Sequence, residues 1–349
     1  MDLQIAAILF QDGMGSGAIY AMLALGFVLV FTTTRIIFAS YGDLIAYAAL
    51  TLHALQQGRL PGTVALIAVL AFLAVAAECI ALARRGEYRH MPRAVLIWLI
   101  LPLLPAAISY LIAGAMLHPA LQIALTIALV VPIGPLLYRI VFQPIETAST
   151  LTLLIVALVL HYLISGLALL FFGPEGIRTA AIIRGSFDLF GVMLQYQLLA
   201  VVSAAILIAA MLAVFFNQSL SGKALRATAF NRDGARLVGI STRRAGSISF
   251  MMAGIIASVV GILIGSSVTI YYDSGLMIGL KGFVGAVLGG FASYPLATLG
   301  SVLIGIVESY SSFFASTFKE IIVYLAIVPI ILLRVFITPH SVEEEEEHA

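Results

Sequence analysis

Residues 217–244 read NQSLSGKALRATAFNRDGARLVGISTRR, the longest polar interval in a chain that is otherwise almost entirely apolar. Six basic residues (Lys223, Arg226, Arg232, Arg236, Arg243, Arg244) stand there against one acid, Asp233. Long hydrophobic segments flank the interval, and short Lys/Arg-rich links between such segments stay on the cytoplasmic side. The stretch also carries helix signals. Ser221 is expected to cap a short helix from Gly222 to Ala229, and Asn231 a second running to about Val238, with Gly239 as the stop. Leu225, Ala229, Ala235 and Leu237 would give these two turns apolar contacts. Charge alone describes an ordinary positive-inside loop. The caps add a short, folded, basic helix pair, which is a shape able to dock a cytoplasmic partner.

The rest of the chain sets that pair under a membrane bundle. Of 349 residues, 62% are hydrophobic and 10% charged, and the mean hydropathy is +1.12. A soluble domain carries about 25% charged residues. The composition therefore specifies an all-α polytopic membrane protein. The net charge of +1 is uninformative beside the distribution of the charges. One cysteine, Cys79, cannot form an internal disulfide. Met1-Asp2 precedes a short apolar run without a basic n-region, so no cleavable signal peptide is expected. No interval between the apolar segments is long enough for a soluble catalytic domain.

Taken in order, residues 3–11 are too short to span and are expected at the interface. Spans are expected near 15–33, 41–56, 62–83, 94–115, 119–138, 149–172, 193–216, 245–270, 276–292, 295–314 and 318–337. This makes about ten to eleven transmembrane helices, since the glycine-rich segments 276–292 and 295–314 are open to being short or broken. Starting outside, seven spans bring residue 217 to the cytoplasm. The same parity puts Arg35, the four arginines of RRGEYRHMPR (84–93) and Arg139 inside. Arg59, Arg178, Arg184 and Lys319 are the exceptions. Residues 173–192 form an outside loop, and the N-terminus is expected outside with the C-terminus inside. A single membrane domain over 1–337 would then precede a disordered acidic tail, 338–349, containing EEEEE.

Several ordered motifs resemble the permease subunits of branched-chain amino-acid ABC importers. SGKALRATAFNRDGARLVGI (221–240) is similar to that family's coupling loop, with its Gly-basic-Ala-Leu-Arg-Ala opening, polar turn, Ala-Arg-Leu and Gly-Ile. ALGFVLVFTTTRIIFASYGDLIAY (24–47) resembles its first-span exit and Gly-acid segment. GLKGFVGAVLGGFASYPLATLGSVLIGIVES (279–309) resembles its Gly-Leu-Lys, Val-Leu-Gly-Gly and Glu segment, and FQPIE (142–146) and LLFFGPEG (169–176) match shorter landmarks. The likeness covers most of the chain outside about 60–138. There three spans fit where the family usually needs one, so an extra hairpin facing lipid or a partner is expected. The sequence has Ser40-Tyr41 where the family commonly has Ala-His, and any role of that histidine does not transfer.

The resemblance implies ATP-driven transport, and the chain's own residues say where ATP is not bound. Gly222-Lys223 is the only Gly-Lys pair, but Ala224 follows it and Asn217 stands at the position of the first glycine, so the G-x-x-x-x-G-K-[ST] phosphate loop is missing. The chain is not expected to be an enzyme or to hold a cofactor. ATP and Mg would be bound by partner ATPase subunits. By resemblance, Gly222, Lys223, Leu225, Arg226, Asp233, Ala235, Arg236, Leu237 and Gly239 would couple to those subunits.

Ionisable residues in spans are costly and are candidates for function. Asp43 opens the second span beside Tyr41 and Gly42, where it either caps the helix or serves the path. Lys281 either snorkels, pairs with Asp273, or serves the path. Glu308 reads as a buried structural or gating carboxylate. Gly285 and Gly289, in GFVGAVLGG, permit close helix approach or backbone exposure along a path. Glu78 reads as a snorkelling or paired end residue near Arg84 and Arg85, while His53 and His161 read as hydrogen-bonded filler. No cluster has metal-ligand spacing. Ser266-Ser267 lacks the histidine-bearing helix an intramembrane protease would need. ASYG (39–42) and ASYP (292–295) hint at an internal repeat.

These readings converge on the permease subunit of a bacterial-type ABC importer in the inner membrane. The resemblance implies a second related permease, two cytoplasmic ATPase subunits and a periplasmic substrate-binding protein as partners, with no nucleic acid. Branched-chain or other hydrophobic amino acids and related small polar solutes are the implied substrates. The alternative is a proton-coupled secondary transporter using Asp43, Glu78 or Glu308.

Overall fold

The computed structural model describes residues 3–332, except 85, 116, 182, 184, 190, 191, 326, 327, 330 and 331. The acidic tail, Arg85, Arg184 and the end of the last expected span lie outside the described residues. Helix dominates, as a chain without water to satisfy its backbone requires. Among the described residues, eight helical segments are long and apolar enough to cross a membrane.

Helix α1 (Leu3–Thr34) is one continuous rod of 32 residues, so residues 3–11 are not a separate interfacial piece. Packing against a later helix, α14 (Tyr294–Phe314), explains the difference. The Ser309 hydroxyl donates to the Leu9 carbonyl (2.7 Å) and the Tyr310 hydroxyl to that of Ala6 (3.1 Å). A Cβ at Gly13 or Gly17 would meet backbone of the same helix. Small residues spaced by one turn let the two backbones touch, which holds the first turns of α1 in the bundle. Helix α2 (Tyr41–Gln56) is buried along nearly its whole length. At about 1.5 Å per residue its 16 residues fall short of a bilayer core, but protein rather than lipid surrounds it.

Helix α3 (Thr63–Arg84) opens the region 60–138, where an extra hairpin is expected. After a 3₁₀ turn (Tyr88–His90) come α4 (Met91–Val95), a π-turn (Leu96–Ile100) and α5 (Leu101–Leu111), which form one continuous span. The wide turn precedes Pro102, whose missing N–H and bulky ring disturb the regular ladder. This span packs chiefly on α3, and its opposite face exposes Leu101, Leu104, Ile108 and Leu111. Helices α6 (Pro119–Val130) and α7 (Ile133–Leu137) continue through a second π-turn (Tyr138–Phe142) and a 3₁₀ turn (Gln143–Ile145) around Pro144.

Helix α8 (Thr150–Phe172) leads to the expected outside loop, which contains a short antiparallel hairpin of β1 (Ser186–Leu189) and β2 (Val192–Gln195). An isolated bridge, Ile177 to Ile270, ties this loop to the bundle. Then follow α9 (Tyr196–Gln218), α10 (Leu220–Phe230), α11 (Arg232–Leu237) and α12 (Thr242–Ile264). The chain ends with α13 (Ser274–Leu288), α14 (Tyr294–Phe314) and α15 (Lys319–Leu325). Of the two glycine-rich segments only α13 is short. Gly290 and Phe291, with φ of 61° and 53°, turn the chain sharply after it. Both halves of the hinted repeat mark helix starts: Ser40 and Ser293 are the residues before α2 and α14.

The core is α1 and α2 wrapped by α12, α13 and α14. Polar groups inside it donate to backbone carbonyls of neighbouring helices. Ser40 donates to Ala157 (2.8 Å) and Tyr47 to Ile164 (3.0 Å), stitching α2 to α8.

Candidate functional site

The basic stretch folds as two short helices beneath the end of α9. Ser219, not Ser221, caps α10: its Oγ accepts from Gly222 N (2.9 Å) while donating to the Phe215 carbonyl (2.8 Å). One side chain thereby closes α9 and opens α10, which leaves no linker and moves the cap two residues upstream. Gly222 sits where any Cβ would strike the Phe215 carbonyl, so the sharp reversal requires glycine. Asn231 caps α11 as expected, accepting from Gly234 N (2.8 Å), and Gly239 follows at φ 85°.

Of the residues expected to couple, Gly222, Leu225 and Ala235 are buried against the bundle, while Lys223, Arg226, Asp233, Arg236, Leu237 and Gly239 are exposed. Leu237 therefore does not make the apolar contact expected of it. It is 88% exposed, and Phe230 (93%) and Val238 (75%) share that exposure. The reason is the register: in the single tight turn of α11, Ala235 faces the bundle and Leu237 points away. Arg226 donates to Asn217 Oδ1 (2.9 Å).

Sequence reasoning missed the residue that fixes this unit. Glu146, the acid of FQPIE, lies between Arg236 (3.3 Å), Arg232 (3.5 Å) and Arg243 (3.9 Å). Its side chain is only 12% exposed. One carboxylate under three guanidinium groups latches α11 to the link before α8. The only signal in the sequence was an acid beside a proline landmark, far in sequence from the arginines.

The three membrane carboxylates singled out in the sequence, Asp43, Glu78 and Glu308, are paired. Asp43 does not cap α2. Its carboxylate meets His161 Nδ1 on α8 at 2.8 and 2.9 Å, so neither residue is isolated. Lys281 pairs with Glu308 rather than Asp273, and the Tyr20 hydroxyl donates to the second Glu308 oxygen (2.6 Å), joining α13, α14 and α1. Glu78 pairs with Arg139 (2.5 Å), not with Arg84. Such pairing is what makes ionised groups tolerable away from water. His53 is the hydrogen-bonded residue expected, facing the Arg178 carbonyl (2.9 Å).

Tyr41, Gly42 and Asp43 are packed, with Gly42 crossing α13 at Gly275 and Gly279. Gly285 and Gly289 pack against Ser301 and Ala297 of α14. Glu308 lines a cavity with Asp12 and Ser16. A separate, mostly apolar cavity of about 780 Å³ lies at the α10 end, lined by Thr32, Phe216, Leu225, Arg226 and Tyr294. Among the described residues no group of His, Cys, Asp and Glu could hold a metal.

Comparison with known proteins gives this geometry a setting. The family described as "Branched-chain amino acid transport system / permease component" matches residues 9–333. The high-affinity branched-chain amino acid transport system permease protein LivH of Salmonella typhimurium is 29% identical over 204 residues, covering 56% of this chain and 65% of that protein. BraD of Pseudomonas aeruginosa, described in the same words, is 25% identical over 203 residues, covering 56% and 66%. The chain thus spans just under two thirds of the length of these relatives. The solved structure of PsaBC from Streptococcus pneumoniae in complex with Fab aligns over 97% of this chain and 94% of that one, at 12% identity and a TM-score of 0.37, too distant to inform the site.

Proposed function

The chain belongs to the branched-chain amino acid transport system permease component family, and on that premise we propose that it is the translocation subunit of an ATP-driven importer. In this reading residues 1–337 form one permease domain in the inner membrane, N-terminus periplasmic and C-terminus cytoplasmic. A second related permease completes the path, and a periplasmic binding protein delivers the solute. Two ATPase subunits, which bind the ATP and Mg, grip residues 217–244. The substrates are branched-chain amino acids, as the relatives' names suggest, or other hydrophobic amino acids or related small polar solutes, as the motif resemblance implies. This chain performs no covalent chemistry.

The observation that carries the reading is the surface of α10 and α11. Exposed Phe230, Leu237 and Val238 stand among basic side chains on a link outside the spans. Large apolar groups held in water mark a contact surface. The Glu146 latch and the caps make that surface rigid, so force on it reaches α9 and α12 rather than bending a slack loop. Rocking α9 and α12 against α1 would then alternate access to the path, along which Lys281 and Glu308 are the favoured polar pair.

The test is a pull-down of tagged chain from native membranes. ATPase subunits and a second permease should co-purify, and Arg226→Glu or Leu237→Asp should lose the ATPases while the chain still inserts. Recovery of the chain alone, with proton-driven uptake after reconstitution, would instead support the secondary-transporter reading built on Asp43 and Glu308.

A further inference from the structure

The link from α3 into α4, RRGEYRHMPR (84–93), carries four arginines and one acid, Glu87. It lies at the same end of the bundle as α10 and α11. Glu78, near the end of α3, pairs with Arg139, and the segment after Arg139 leads to Glu146 beside the α11 arginines. Those arginines share the Glu146 carboxylate. By contrast, Arg84, Arg89 and Arg93 are exposed and make no hydrogen bond or ion pair among the described residues, and Glu87 pairs with none of them. Arg89 and Arg93 stand four residues apart in one helical segment, Tyr88–Leu111, so they lie one turn apart on one face. Like charges so placed repel unless an anion is shared between them.

Beyond the arginines the same face turns apolar. Ile97, Leu101, Leu104 and Ile108 continue the steps of three and four residues and are all exposed, while Ala94, Pro102 and Ala106 are buried. No lysine, arginine, aspartate or glutamate occurs from Ala94 to Tyr138. Steps of four drift around a regular helix of about 3.6 residues per turn. The π-turn Leu96–Ile100 takes up part of that drift and keeps the apolar stripe in line with the arginines. From Ile97 to Ile108 the helix rises about 16 Å, close to the ~15 Å hydrocarbon depth of one leaflet.

An anionic phospholipid presents its own groups in this order, charge at the surface and hydrocarbon beneath. Its phosphate takes bidentate contacts from guanidinium and relieves the repulsion between two of them. An acidic protein would also answer the arginines, but helices that meet inside a membrane do so over small residues, whereas this stripe is built of leucine and isoleucine.

We propose that this face binds an anionic phospholipid, its phosphate held by Arg89 and Arg93 and an acyl chain laid along Ile97, Leu101, Leu104 and Ile108. Such a site needs only a bilayer around the bundle and is independent of any ATPase partner.

Native mass spectrometry reads the preference directly, on the full chain in detergent with equal amounts of dioleoyl phosphatidylglycerol and dioleoyl phosphatidylcholine. Phosphatidylglycerol should be retained about twentyfold over phosphatidylcholine, since each arginine near an anionic surface is worth about fivefold. Arg89→Gln with Arg93→Gln should abolish that preference, and Arg59→Gln, which removes an exposed arginine elsewhere, should keep it. Glycerophosphoglycerol, the same headgroup without chains, should not displace the lipid. Arg89 and Arg93 are exposed and unbonded, so the fold survives their loss, and comparing the two lipids on the unaltered chain needs no variant. Equal retention of both lipids by the unaltered chain overturns the site. So does a preference that survives the double change, or one that Arg59→Gln abolishes as fully. Displacement by glycerophosphoglycerol would leave a bare anion site in place of the lipid. A co-purifying protein lost on the double change, with no lipid preference, would give the face to a protein partner, and either result overturns the proposal.

Discussion

Two of the carboxylates that hold elements together by charge, Glu146 and Glu308, make distinct predictions. Glu146 sits under Arg232, Arg236 and Arg243, so Glu146→Gln removes the one carboxylate the three guanidinium groups share, leaving Arg236 only its contact with Asp233. The loss should destabilise the α11 docking by about 1–3 kcal/mol, the range for a charged hydrogen-bonded partner. Hydrogen exchange over residues 232–240 should accelerate, while α13 and α14 stay protected. Unchanged exchange there would mean that the caps alone hold α11. In the Lys281–Glu308 pair both partners are enclosed, with side chains 17% and 13% exposed. Lys281→Met should destabilise the chain by about 3–5 kcal/mol because a charged carboxylate remains behind. The double change Lys281→Met with Glu308→Gln should recover most of that loss in a thermal melt. Additive losses would argue against coupling of the pair.

At the scale of elements, α10 and α11 divide into an inward and an outward face. Leu225 and Ala235 face in, so Ala235→Trp should unpack the pair and lower the melting temperature. Leu237 faces out at 88% exposure, so Leu237→Asp should leave stability within about 0.5 kcal/mol. The two variants should both lose ATPase subunits in a pull-down, but only the first should lose stability. Equal destabilisation would mean that Leu237 is packed after all. Gly222 joins the faces, because the reversal from α9 into α10 leaves no space for a Cβ beside the Phe215 carbonyl.

For the whole molecule, the proposed orientation is open to chemical labelling. In a Cys79→Ala background, a cysteine at Glu87 or Asp233 should react with an impermeant maleimide only from the cytoplasmic side. A cysteine at Asp188, in the hairpin opposite α10, should react only from outside. The reverse pattern would invert the topology and put α10 and α11 on the outer side.

Most of the architecture was legible because membrane insertion is decided locally. Runs of apolar residues, arginines at their ends and glycine or asparagine at helix boundaries each act within a few residues, so the spans, the polar link and the Asn231 cap could be read directly. The motif resemblance added the family on the same local terms. What distant residues decide could not be read that way. The continuity of α1 depends on hydroxyls of α14, some 300 residues away in sequence. The partners of Asp43, Lys281, Glu78 and Glu146 all come from other helices, because a charge in an apolar medium takes whichever counter-charge the fold brings near. The outward turn of Leu237 follows from a one-turn helix whose buried face only the packed bundle selects. Sequence by itself thus determined which segments enter the membrane and which link carries the basic helices. Tertiary structure alone decided which buried charges meet and which way Leu237 faces, since both depend on distances between helices that local preference does not set.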